Sequence, residues 1–178
     1  IPQHFMNNGW HSQGMGKIYH VGHGNRDDKF SWSVPHQTPR ISNYLLEENA
    51  QIVRENRKKN RADKSYRWTN GPPTEMAEVP DDAYRDGATA NLAIETMQTL
   101  KDQPFFLAVG FSKPHLPFCA PEKYWDVYDR DRITLPDNYF PQKGAPDYAL
   151  ANWGELRKYH GIPSEGPVSD AQALTMIH

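Results

Sequence analysis

The stretch Pro104–Pro121, PFFLAVGFSKPHLPFCAP, constrains this chain most. It opens with Phe105, Phe106, Leu107, Ala108 and Val109, uncharged and without alternation. Such a run predicts a strand buried on both faces, as in a parallel sheet covered by helices. Burying each large side chain of that run contributes roughly 1.5–3 kcal/mol. The run stops at Gly110, and within five residues the chain presents Lys113, Pro114 and His115. Open α/β sheets bind ligands beyond the carboxyl ends of their strands. A cation and an imidazole in that place predict the lip of an active site.

The same order of elements occurs twice. Residues 86–101 predict a helix, with Asp86 as N-cap and Ala88, Leu92, Ala93, Met97 and Leu100 as its apolar stripe. Asp102-Gln103-Pro104 ends it, and the apolar strand and its Lys/His loop follow. Nearer the start, Ile1, Phe5 and Met6 belong to a helix that Asn7-Asn8-Gly9 stops, with glycine just past its end. Residues 10–16, WHSQGMG, predict a short strand weakened by Gly14. A glycine- and histidine-rich loop containing Lys17 and His20 comes next. Successive helix–strand units stack their strands in parallel. The expected fold class is therefore α/β, a mainly parallel sheet flanked by helices.

The remaining segments carry less. Residues 25–42 read as an irregular excursion and 43–56 as a helix. The basic run 54–64, RENRKKNRADK, lacks interleaved aromatics and reads as a solvated helix end or loop, not a nucleic-acid site. Gly71-Pro72-Pro73 and Pro80-Asp81-Asp82 make 65–85 mostly turn. Pro121 opens a short helix over 121–128, and 129–168 read as ordered coil with at most a short helix near 152–160. Ser169 and Gln172 form a capping box for a last helix. A net charge of −2 gives no general reason to expect nucleic acid or an anionic membrane as partner, and no 18-residue apolar run exists to span a bilayer. Ile1 begins inside a helical pattern and the last helix has barely started at His178, so the expectation is an internal piece of a longer chain.

Lys17 and His20 lie three residues apart past one strand end, and Lys113 and His115 offer the same pair past the other. A fixed positive charge stabilises an anion such as sulfate or phosphate. An imidazole titrates near neutrality and supplies about 10²–10⁴ in rate as acid or base. A surface lysine and a backbone-satisfied histidine are the competing reading of each pair. His20 with His23 and His36 suggests a metal site, but their spacing matches no usual ligand set and no cysteine joins them, so zinc is not expected. Asp81-Asp82 reads as a solvated carboxylate pair, and His4, His11, His160 and His178 as structural.

Four segments together resemble a known family. Gly14–His20 (GMGKIYH), Gly71–Gly87 (GPPTEMAEVPDDAYRDG), Phe105–Phe118 (FFLAVGFSKPHLPF) and Asn152–Leu156 (NWGEL) resemble type I sulfatases, in the manner of bacterial members of the iduronate 2-sulfatase-like branch. The resemblance runs over essentially the whole chain, and the GKxxH and KPHxPF motifs in that order are its most specific part. It implies an alkaline-phosphatase-like fold and hydrolysis of sulfate esters, on a carbohydrate. It implies that Lys17 holds sulfate oxygens and the nucleophile, that His20 contacts a formylglycine hydrate, and that His115 binds the sulfate and its bridging oxygen. Lys113 lies beside His115 in the motif and is a candidate for substrate binding.

The departures bear on cofactors. The family's Cys-x-Pro-Ser-Arg, whose cysteine becomes formylglycine, precedes GKxxH. Here the single cysteine, in Cys119-Ala120-Pro121-Glu122-Lys123, lacks the Ser-Arg and follows KPH. The family's calcium carboxylates have no match either. The expectation is that residues 1–178 are one partial domain, the central part of a sulfatase catalytic domain. The segments bearing Ca2+ and formylglycine would then lie in the rest of the parent chain, and the piece alone would be inactive. A phosphate or phosphonate ester hydrolase, and a non-catalytic sulfate-binding relative, remain as alternatives.

Overall fold

The computed structural model describes residues 1–20, 27–150 and 154–178. In chain order its helices and strands are α1 (Pro2–Asn7), β1 (His11–Gly16), α2 (Glu47–Ala62), β2 (Thr74–Ala77), α3 (Arg85–Leu100), β3 (Phe105–Gly110), β4 (Phe118–Pro121), α4 (Glu122–Trp125) and α5 (Asp170–Ile177). The chain divides into two compact units, Ile1–Asn43 with Val79–His115, and Tyr44–Glu78 with Leu116–His178. Each holds one pair of parallel strands with helices packed against it, an α/β arrangement.

In the first unit β1 and β3 pair in parallel from His11 opposite Phe105 to Gly16 opposite Gly110. This is the geometry expected of two helix–strand units in succession. α1 ends where Asn7-Asn8-Gly9 predicts, with Gly9 at φ 80°. Phe5 at its end stacks on Phe106 at 4.8 Å, fixing helix to strand.

β1 is the better buried strand, every residue after His11 being inside. The excursion over 28–38 covers it. Ser12 Oγ donates to the Ser31 carbonyl at 2.7 Å, Ser33 N to the Ser12 carbonyl at 2.7 Å, and Met15 bridges in parallel to Gln37. Gly14 does not weaken this strand. A Cβ there would lie 2.6 Å from the Trp32 indole, so only glycine lets that ring close over the backbone.

β3 departs from expectation in the opposite sense. All six of its residues are half-buried, not enclosed on both faces. Among the described residues β1 is its one strand neighbour, and part of its surface stays exposed.

α3 starts at Arg85 with Tyr84 as N-cap, so Asp86 lies in the first turn and is not the cap. Its buried residues are Thr89, Ala93, Thr96 and Leu100, while Met97, expected inside, is 44% exposed. Thr89 tolerates full burial because its hydroxyl donates to the Arg85 carbonyl one turn back, at 2.8 Å.

In the second unit β2 and β4 pair in parallel, Thr74 opposite Phe118 through Ala77 opposite Pro121. Both strands fall in segments read as turn or loop. α2 runs on through most of the basic run to Ala62, as a solvated helix end. The buried Glu75 of β2 fixes the start of that helix. Its carboxylate accepts from Leu45 N at 2.8 Å, Leu46 N at 3.3 Å and Asn49 Nδ2 at 2.9 Å, holding the two residues that lead into the helix and one side chain of its first turn. The described residues of 129–168 are coil with single 3-10 turns at Arg130–Arg132, Asp147–Leu150 and Leu156–Lys158. α5 carries the predicted capping box, Ser169 and Gln172 each bonding the other's backbone.

Candidate active site

The site is set by two glycines. Gly16 and Gly110 end β1 and β3 in register, and their backbones touch. A Cβ on Gly16 would lie 2.0 Å from the Gly110 carbonyl oxygen, and one on Gly110 would lie 2.0 Å from the Lys17 carbonyl oxygen. Gly16 also sits at φ 73°, where side chains other than hydrogen are strained. Lys17 N donates to the Gly110 carbonyl at 2.7 Å. The loops that follow, 17–20 and 111–115, thus leave the same carboxyl end of one parallel pair and are tied together at their roots.

The first loop is further anchored by Tyr19, whose hydroxyl donates to Ser31 Oγ at 3.2 Å, and Ser31 Oγ donates to Asp28 Oδ2 at 2.6 Å. Thr38 Oγ1 donates to the Gly16 carbonyl at 3.4 Å. With Tyr19 held, Lys17 is half-buried and His20 is exposed. A lysine whose stem is covered and an imidazole in solvent are the two tools an anionic ester requires: fixed charge and proton exchange.

The second loop is held from α3. Ser112 N donates to both oxygens of the Asp86 carboxylate at 2.9 Å, and Lys113 N to Oδ2 at 2.8 Å. His115 N donates to the Ser112 carbonyl at 3.0 Å, and the Lys113 ammonium donates to the His115 carbonyl at 3.1 Å. The Lys113–Pro114 peptide bond is cis. The imidazole of His115 is exposed and Lys113 is half-buried.

Sequence reading missed two contributors. Asp86 reads as a helix cap in the sequence, and the signal that separates the roles is Gly87. A Cβ there would lie 2.0 Å from the Asp81 carbonyl, so the helix start is packed tightly against the turn before it. Tyr19, to which the sequence assigns no role, anchors the first loop through Ser31.

Of the histidines considered as metal ligands, His23 lies outside the described residues. His36 faces Asp27, with Nδ1 3.7 Å from Oδ1, and stacks against Trp32 at 6.0 Å. Among the described residues no group of three or more His, Cys, Asp or Glu side chains could hold a metal ion. Cys119 is buried in β4, in register with Glu75, at 3% exposure. The described residues therefore do not fit a calcium site or an accessible formylglycine. No helix among the described residues is long and apolar enough to cross a membrane.

No family model matches the chain. It is similar to iduronate 2-sulfatase of Homo sapiens, 33% identical over 168 residues that cover 91% of this chain and 29% of that protein. The mouse iduronate 2-sulfatase is 32% identical over the same shares. A protein of Formosa agariphila named sulfatase is 30% identical over 141 residues, 76% of this chain and 26% of its own length. The chain thus spans less than a third of the length of these relatives.

Proposed function

We propose, from the premise that this chain belongs to the sulfatase family, that the full-length protein hydrolyses sulfate esters of a carbohydrate. The observation that carries this reading is the parallel register of β1 and β3. It brings the GKxxH and KPH loops to one end of the sheet, linked by the Lys17 N to Gly110 carbonyl bond at 2.7 Å.

In this reading Lys17 neutralises a sulfate oxygen with its fixed charge, and His20 takes up a proton beside it. His115 donates a proton to the bridging oxygen as the S–O bond breaks. Water makes up the balance, giving the free alcohol, inorganic sulfate and a proton. A developing alkoxide is a poor leaving group, so the largest effect falls on the residue that protonates it. Lys113, with its ammonium turned to the His115 carbonyl, braces the loop and lends its charge to the substrate side. In this reading the calcium and formylglycine of the family are held by parts of the protein outside this chain. On the same reading the chain is one partial catalytic domain.

The test is turnover of an aryl sulfate and of sulfated oligosaccharides by the full-length protein, with His115→Ala beside it. The expected result is sulfate release that falls by about 10² or more in the variant. Unchanged turnover would remove His115 from the mechanism. Release of phosphate but not sulfate would replace the sulfatase reading with phosphate ester hydrolysis.

A further inference from the structure

We infer that Asp86 is a positioning residue that holds the His115 loop in its working conformation, acting through the backbone and not on the substrate. The inference rests on the sulfatase reading for its consequence in catalysis, but the clasp itself is a feature of the described contacts. Three donor–acceptor contacts link one carboxylate to two consecutive amides, at 2.8 and 2.9 Å. Charge-assisted bonds of that length are about twice as strong as neutral ones. A carboxylate near the positive end of a helix is itself favoured there, and Asp86 lies in the first turn of α3.

The position of this clasp gives it leverage. Ser112 and Lys113 are the second and third residues past β3, and His115 is only two further on. The turn continues through His115 N on the Ser112 carbonyl and Lys113 Nζ on the His115 carbonyl. Each of those bonds is internal to the loop and moves with it. Asp86, by contrast, ties the loop to a helix outside it. α3 in turn is seated against the root of the other loop, since a Cβ on Gly16 would lie 2.9 Å from the Thr89 methyl. One helix turn thereby references both loops, Thr89 by packing and Asp86 by hydrogen bonds. A displacement of about 1 Å in a reacting group costs on the order of 10² in rate.

An amide in place of the carboxylate separates this role from a general contribution to stability. Asp86→Asn keeps the volume but offers one acceptor oxygen and turns an N–H donor toward amides that donate. Asp86→Glu keeps both acceptors on a longer stem. In the full-length protein, at a temperature where wild type and variants are equally folded by circular dichroism, two measurements are made. Hydrogen–deuterium exchange of the peptide covering 111–117 should rise at least about tenfold in Asp86→Asn, with peptides of β1 unchanged, and Asp86→Glu should recover part of the protection. Aryl sulfate kinetics should show kcat reduced by about 10² with KM altered by less than about threefold, and partial rescue by Asp86→Glu.

Unchanged exchange over 111–117 in Asp86→Asn overturns the inference whatever the activity. Raised exchange with unchanged kcat overturns it too, because the clasp would then hold the loop without positioning the chemistry. A wild type without sulfate release refutes the sulfatase reading; with raised exchange it restricts Asp86 to holding the loop, which overturns the catalytic half of the inference. A global loss of fold in both variants would assign Asp86 to stability and overturn the positioning role.

Discussion

β1 and β3 lie side by side in one parallel pair, and their sequences point the wrong way about which is inside. HSQGMG is polar and glycine-bearing, yet five of its six residues are buried. FFLAVG is apolar throughout, yet every residue is half-buried. The difference is in their neighbours. β1 has β3 on one side and the 28–38 excursion over it, whose serines and Gln37 satisfy its polar groups. Among the described residues β3 has β1 alone as strand partner. Composition records how much a strand gains from burial, whereas the partners available decide how much burial it gets.

The sharpest way to break this comparison is at the point where the strands meet. Gly110→Ala would place a methyl 2.0 Å from the Lys17 carbonyl, and Gly16→Ala would place one 2.0 Å from the Gly110 carbonyl at a φ of 73°. Backbone atoms cannot swing aside as a side chain can. Either substitution in the full-length protein should cost about 3 kcal/mol or more by thermal or denaturant unfolding. A cost under about 1 kcal/mol would mean that the strand ends are not in contact.

A pair of truncations then measures the burial difference itself. Met15→Ala removes a side chain with no exposure and should cost about 2–4 kcal/mol. Leu107→Ala, at a half-buried position of the same sheet, should cost about 1–2 kcal/mol. Equal losses in the full-length protein would show that other parts of the chain cover β3 there. The asymmetry would then belong to the described region only.

What was legible in the sequence follows from how local each cause is. α5 could be read because Ser169 and Gln172 satisfy each other within one turn. α1 could be read because Gly9 marks its end. The parallel β1–β3 pair could be read because two helix–strand units in sequence leave few other topologies. The β2–β4 pair could not. Each strand has four residues, one holds Glu75 and the other ends in Pro121, both disfavoured in strands. Their pairing depends on a partner some forty positions away. Of the candidate site, Lys17, His20 and His115 stood out by type and spacing. Asp86 did not, because its role is defined by amides 26 and 27 residues further along the chain.

The two strand pairs also differ in what surrounds them, and alkaline pH should expose the difference. In the second unit Tyr44 and Tyr159 are buried, at 8% and 5% exposure. Burial, reinforced by the neighbouring Cys119, Tyr159 and Glu75, raises the Tyr44 phenol above its ordinary range. Burial first, then the charge of Glu155 and the Cys119 thiol, push Tyr159 up to about 12. Tyr44 is further committed through its hydroxyl, which donates to the Pro72 carbonyl at 2.6 Å. A phenol whose folded pKa exceeds its unfolded value of about 10 holds its proton more tightly in the folded state. Its contribution is complete below about pH 10 and is lost as pH rises through about 12. For Tyr159 the difference corresponds to roughly 2–3 kcal/mol. Tyrosinate absorbance of the folded full-length protein should therefore show a late step near pH 12, coincident with weakened protection of β2 and β4. Tyr159→Phe should remove that step while leaving the β1–β3 pair as protected as before. A titration in which the late step survives Tyr159→Phe would assign it to another buried phenol and detach the alkaline weakening of this unit from Tyr159.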